Sequence, residues 1–246
     1  MMDTLTLLAA AFFLPLFPLS LVFNALLARV QQPLLRACLM LVWPQIGLTI
    51  LAAQGVPISD WVVPWAIFTA ALYGLRLLTV REMGIWTGLL ATSTWALLWL
   101  LVADRDLPWV TLSLSLPLVL LVFVAAALTR RFGAAYGGLA ANQVTGLPRL
   151  ASVLTLGLLA ATATPLFPGF AVLLHLLLVA TLAHALAILS IWLLWSWAGM
   201  RLLQGFLVGS PPEQPLADIG LPALWVWSLL LLALLGAGVL LMEGWV

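Results

Sequence analysis

The chain has 246 residues, of which 65% are hydrophobic and 7% charged, and its net charge is +1. Soluble domains hold about 45–50% apolar and about 25% charged residues, so a water-soluble globule is excluded. Nine dispersed arginines and no lysine leave no basic patch for a nucleic-acid backbone. The apolar runs are continuous and rich in Leu and Ala, where a β-barrel would alternate. The expected fold is therefore all-α: a polytopic transmembrane helix bundle of about eight helices in a single transmembrane domain, residues 1–246.

Residues 5–28 form the first expected span, interrupted by Pro15 and Pro18 and closed by Arg29. The start, Met1-Met2-Asp3, lacks the basic region of a signal peptide, so this run reads as a span. Residues 34–53, 61–80, 84–102 and 110–129 follow as four more spans, the last containing Pro117. Residues 150–164 are short for a span, and a break at Pro165, Pro168 and Gly169 is expected to sit at or near the far interface. Residues 170–198 are longer than a span needs, which predicts tilt or an internal irregularity. Residues 221–242 form the eighth span.

Strict alternation of these spans sorts the charges. Arg29, Arg36, Arg76, Arg81, Arg130, Arg131, Arg149 and Arg201 fall on one face, and only Arg105 falls opposite. The other face collects Asp3, Asp60, Asp104, Asp106 and Glu243. By the positive-inside rule the arginine face is cytoplasmic, which places both termini outside the cytoplasm of a bacterial inner-membrane protein. Trp43, Trp61, Trp65, Trp109, Trp225 and Trp245 lie near span ends, where interfacial indoles are favoured, and Trp192, Trp195 and Trp197 cluster in the seventh span.

Cys38 stands alone, so disulfides and Cys-based metal sites within the chain are excluded; it reads as a small apolar residue in a span. No phosphate loop, nucleophile elbow or His/Cys ligand set occurs. No catalytic residue, cofactor or metal is expected, and the chain is not read as an enzyme in itself. The polar groups left at membrane depth are His175, His184, Asn24, Gln45 and Arg76. Intramembrane ionisable groups are candidate proton-path residues by default, which singles out His175 and His184. On one continuous helix these two would point about 180° apart, so neither a shared metal site nor a simple relay is expected. Arg76 lies about a turn from its span end and is expected to snorkel to the interface.

Residues 130–170 carry an ordered set of signals. Arg131 and Gly133 are followed by Gly137, Gly138 and Leu139, then a Leu147-Pro148 helix start, then Pro165, Gly169 and Phe170. This order resembles the C-terminal half of the antiporter-like membrane subunits of respiratory NADH:quinone oxidoreductase and of Mrp-type antiporters. The segment from Arg201 to Asp218 resembles the loop after that family's broken helix.

The resemblance implies titratable residues at two positions. Here they fall near Leu118 and Leu173, which are apolar, and the first three spans hold no Glu to complete an earlier pair. It thus implies an accessory membrane subunit of an ion- or proton-coupled complex, not a complete pump. Implied partners are the lipid bilayer, a full-length antiporter-like subunit and, in an energy-coupled inorganic-carbon uptake system, a large zinc-binding carbonic-anhydrase-like protein. The alternative is a small independent proton or cation transporter or channel acting as a homo-oligomer.

Overall fold

The computed structural model describes residues 2–54, 59–102, 104, 106–138, 146–208 and 217–245. Arg105 and Leu139 lie outside these. Ten helices occur among the described residues, where the sequence led to about eight: α1 (Met2–Phe13), α2 (Ser20–Arg29), α3 (Pro33–Gln54), α4 (Val62–Leu77), α5 (Met83–Leu97), α6 (Leu107–Phe132), α7 (Pro148–Ala161), α8 (Pro168–Val179), α9 (Leu182–Leu207) and α10 (Leu221–Trp245). A 3-10 turn, Leu98–Leu101, prolongs α5. The two extra helices arise where expected spans are split. Residues 5–28 become α1 and α2, and residues 170–198 become part of α8 and α9.

The first split follows from Pro15 and Pro18, which cannot donate to a helical ladder, and the Phe17–Pro18 peptide is cis. The second has no proline: Ala180 and Thr181 take extended backbone angles, and the Thr181 hydroxyl caps the new helix at the His184 amide. Thr is a favoured N-cap, so α9 begins there.

α5 is the centre of the bundle. Of the window Met83–Leu101, 89% is buried, against 17% for Leu221–Glu243 in α10. α4, α6 and α2 pack around α5, while α3 lies between α1 and α6. α7 and α8 stack end to end along α6. Gly157 of α7 faces Leu120 and Leu121, and Gly169 of α8 faces Leu114, nearer the start of α6. Their 14 and 12 residues together match the 26 of α6, which at about 1.5 Å per residue is about 39 Å. The break at residues 162–167 therefore lies inside the bundle and not at the far interface where the sequence placed it. Apolar side chains from all ten helices join one buried cluster.

The arginine-bearing ends meet. Arg36 Nη2 donates to Gly84 O (2.8 Å), Arg201 Nη1 to Leu78 O (2.9 Å) and Arg131 Nε to Ala217 O (3.0 Å). Residues 133–138 thread between α5 and α9: Met83 N donates to Ala135 O, Gly137 N to Arg81 O and Gly138 N to Gly205 O. Gly138 (φ +103°) makes this turn, and a Cβ on Gly205 would stand 3.1 Å from Gly137 Cα. Asp218 accepts from the amides of Arg149 and Leu150, so the start of α7 is capped by a carboxylate distant in sequence.

Candidate functional site: two broken helices and the polar core between them

A helix that stops inside an apolar bundle leaves carbonyls without partners, and each must find a donor or cost several kcal/mol. At the first break three indoles supply them. Trp43 Nε1 donates to Phe12 O (3.2 Å), Trp99 Nε1 to Leu14 O (3.1 Å) and Trp65 Nε1 to Phe17 O (2.6 Å), while Thr69 Oγ1 accepts from Phe17 N (3.2 Å). At the second break Trp192 Nε1 donates to Ala163 O (3.1 Å), and Thr164 bonds back to Leu159 O through its hydroxyl (2.9 Å). Tryptophan fits both places because one polar N–H rides on a large apolar body. Trp43, expected at an interface, lies in the middle of α3 and serves the first break instead, whereas Trp65 is 40% exposed, one turn into α4. Trp61, Trp109, Trp197 and Trp225 are largely exposed, as an interfacial residue would be.

The second break is tightly made. Ala163 (φ +56°) and Leu166 (φ +77°) lie in the left-handed region that non-glycine residues avoid. Pro168 opens α8 at its first turn, where its missing N–H is harmless. Gly169 and Gly238 admit the folded-back backbone: a Cβ on Gly169 would stand 3.1 Å from the Ala163 Cβ, and one on Gly238 would stand 2.8 Å from Phe167 C.

Between the two breaks runs a neutral polar core. Ser20 Oγ and Tyr73 OH share a hydrogen bond (2.8 Å), Asn24 Nδ2 donates to Thr92 Oγ1 (2.8 Å) and to Ser20 O (2.9 Å), and Trp195 Nε1 donates to Ser93 Oγ (2.8 Å). Ser93 in turn donates to Ala70 O (2.7 Å). Buried polar groups must be paired, and each of these is. Sequence reasoning noticed Asn24 but missed Tyr73, Ser93 and Thr92, which look like ordinary span residues until their partners are known. Gln45 donates to Pro108 O (3.0 Å) and joins α3 to the start of α6.

His175 lies in α8 and pairs through Nε2 with Asp104 Oδ2 at 2.9 Å, both side chains about a fifth exposed. His184 lies in the first turn of α9. The two histidines occupy different helices, so the angle expected between them along one helix does not apply. No cluster of three metal-ligating residues occurs among the described residues. Arg76 is exposed, with its guanidinium carbon 5.6 Å from the Tyr73 ring centre. Leu118 and Leu173, the positions where the resemblance implies titratable groups, are buried. Leu173 borders a cavity of about 20 Å3 with Leu97, Leu114, Leu176, Thr94 and Trp195. The Thr94 hydroxyl is bonded to Leu90 and Ala91 carbonyls, and Trp195 to Ser93.

No family model matches the sequence, and no curated protein matches it. Solved structures do. A chain of respiratory complex I from Thermus thermophilus superposes with a TM-score of 0.85 at 18% identity over 95% of this chain and 53% of that one. A chain of the Mrp complex from Dietzia sp. DQ12-45-1b gives 0.84 at 15% identity over 98% and 57%. A chain of the membrane-bound sulfane sulfur reductase, an archaeal respiratory membrane complex, gives 0.82 at 17% identity over 96% and 52%. The chain thus spans little more than half the length of the solved chains it matches. Its fold is that of the antiporter-like membrane subunits, as the sequence resemblance implied, and it is a multi-pass membrane protein.

Proposed function

We propose that this chain is an accessory membrane subunit of a multisubunit ion-coupled complex, packing against a full-length antiporter-like subunit and not itself a complete proton pump. One observation carries the reading. Where an ion path needs titratable groups at depth, the core between the two breaks is built from hydroxyls, an amide and indoles that satisfy one another. Its role is then to supply a rigid helical surface, and the whole of residues 1–246 acts as one transmembrane domain. The arginine face is cytoplasmic by the positive-inside rule, in a bacterial inner membrane. The host we favour is an energy-coupled inorganic-carbon uptake system, with a zinc-binding carbonic-anhydrase-like protein as a further partner, because relatives of the resembled subunits serve there outside respiration. Proton passage through His175 and Asp104 is the competing reading.

Affinity purification of the tagged protein in mild detergent, with mass spectrometry of co-purifying chains, tests this. A full-length antiporter-like subunit in stoichiometric amount is the expected result. Recovery alone or as a homo-oligomer would overturn it and favour an independent transporter.

A further inference from the structure

Two arginines line one groove near the arginine-bearing end of the bundle. The groove, about 280 Å3, opens between α2, α4 and α5 and is lined by Arg36 and Arg76. Arg36 enters from α3 across the first turn of α5. A Cβ on Gly84 would stand 2.8 Å from Arg36 Nη1, so the bare glycine is what admits the cation. Arg36 Nη2 donates to Gly84 O, and its buried Nε has no acceptor among the described residues. Arg76, in the last turn of α4, lies over the Tyr73 ring, and its guanidinium makes no hydrogen bond to a described residue. The nearby carboxylate, Glu82, caps α5 through the amides of Gly84 (2.9 Å) and Ile85, and its charge also acts on Arg36, so Arg76 is the less compensated cation of the two.

Away from the arginines the walls are apolar except for Asn24, whose amide N–H groups are bonded to Ser20 O and Thr92 Oγ1. Leu21, Leu27, Ile85 and Leu89 line the groove, and Leu21 and Ile85 are nearly half exposed on its outer side. A cationic end near the end of the spans and an apolar wall running inward match one kind of molecule, an amphiphile with an anionic head. Guanidinium groups bind phosphate oxygens in a two-pronged geometry that a single ammonium cannot, and basic groups at a membrane surface select anionic lipids.

We propose that this groove is a binding site for an anionic phospholipid, its phosphate held by Arg36 and Arg76 and one acyl chain laid along Leu21 and Ile85. The proposal does not depend on the host complex. Arg36 holds α3 to α5 and Arg76 belongs to α4, so the bound phosphate ties three helices together at the arginine-bearing end.

The test is thermal unfolding of the detergent-purified chain with phosphatidylglycerol, phosphatidylcholine or inorganic phosphate added. Phosphatidylglycerol at about ten times its dissociation constant is expected to raise the apparent Tm by about 3–5 °C, with no rise from the other two. Arg76→Gln should remove most of that rise while leaving the lipid-free Tm unchanged, because Arg76 is exposed; Arg36→Gln adds to the loss where it folds. Arg201→Gln, an arginine outside the groove, should keep the full rise. Equal shifts from the two lipids, or an undiminished shift in Arg76→Gln, would overturn the proposal. A full shift from inorganic phosphate would reassign the groove to a free anion and overturn the lipid assignment.

Discussion

Trp192 donates its indole N–H to the carbonyl oxygen of Ala163 across 3.1 Å, so a residue of α9 completes the hydrogen bonding of the backbone that breaks α7 from α8. Leaving a buried carbonyl unpaired costs about 1–3 kcal/mol. Trp192→Phe and Trp99→Phe keep an aromatic ring and remove the donor, and each should lower thermal stability in detergent by that amount. Trp197→Phe, at an exposed position, should leave it unchanged. Equal stability of all three variants would show that the indoles merely fill space.

Gly238 and Gly236 provide a paired test within one helix. A methyl group at Gly238 would meet the backbone of Leu166 and Phe167, whereas one at Gly236 meets nothing within 4 Å. Gly238→Ala should therefore separate α10 from the break and lower Tm by several degrees, since a backbone neighbour cannot swing aside. Gly236→Ala should hold stability or raise it by up to about 1 kcal/mol, the usual gain of alanine over glycine in a helix.

Asp218 caps α7 from the far side of the long α9, accepting from the amides of Arg149 and Leu150. Asp218→Ala should cost about 0.5–2 kcal/mol, the range for a lost N-cap. Hydrogen exchange at the first turn of α7 is the measurement that locates the effect: protection there should fall while that of α5 is retained.

The His175–Asp104 contact joins α8 to the residues just before α6. A partly exposed side-chain hydrogen bond contributes about 0.5–1.5 kcal/mol, so a double-mutant cycle with His175→Gln and Asp104→Asn should give a coupling of that order. If the chain is the accessory subunit proposed above, ion transport by its host complex should survive both substitutions. Loss of transport at unchanged stability would instead favour the proton-path reading.

Much of the architecture was legible because it is composition and spacing. Long Leu/Ala runs must become helices when no water is present to satisfy the backbone, and arginines must stay near the ends. The proline break at Pro165 and Pro168 was equally visible. The split at Ala180 and Thr181 was not, since neither residue breaks a helix by itself; the length of residues 170–198 was its one signal. The polar core was missed for a related reason. Ser20, Tyr73, Thr92 and Ser93 are common in spans, and pairs 53 or 102 residues apart leave no periodic trace.

The sequence by itself determined that the chain is a helical membrane protein and where along it the charges stand, because these depend on residue type and order alone. Tertiary structure decided how the chain meets its own breaks: which tryptophans cap carbonyls, which glycines let backbones touch, and which hydroxyls pair across α2, α4, α5 and α9. Those depend on distances between segments remote in sequence, which packing alone brings within the 3 Å or so that a hydrogen bond requires.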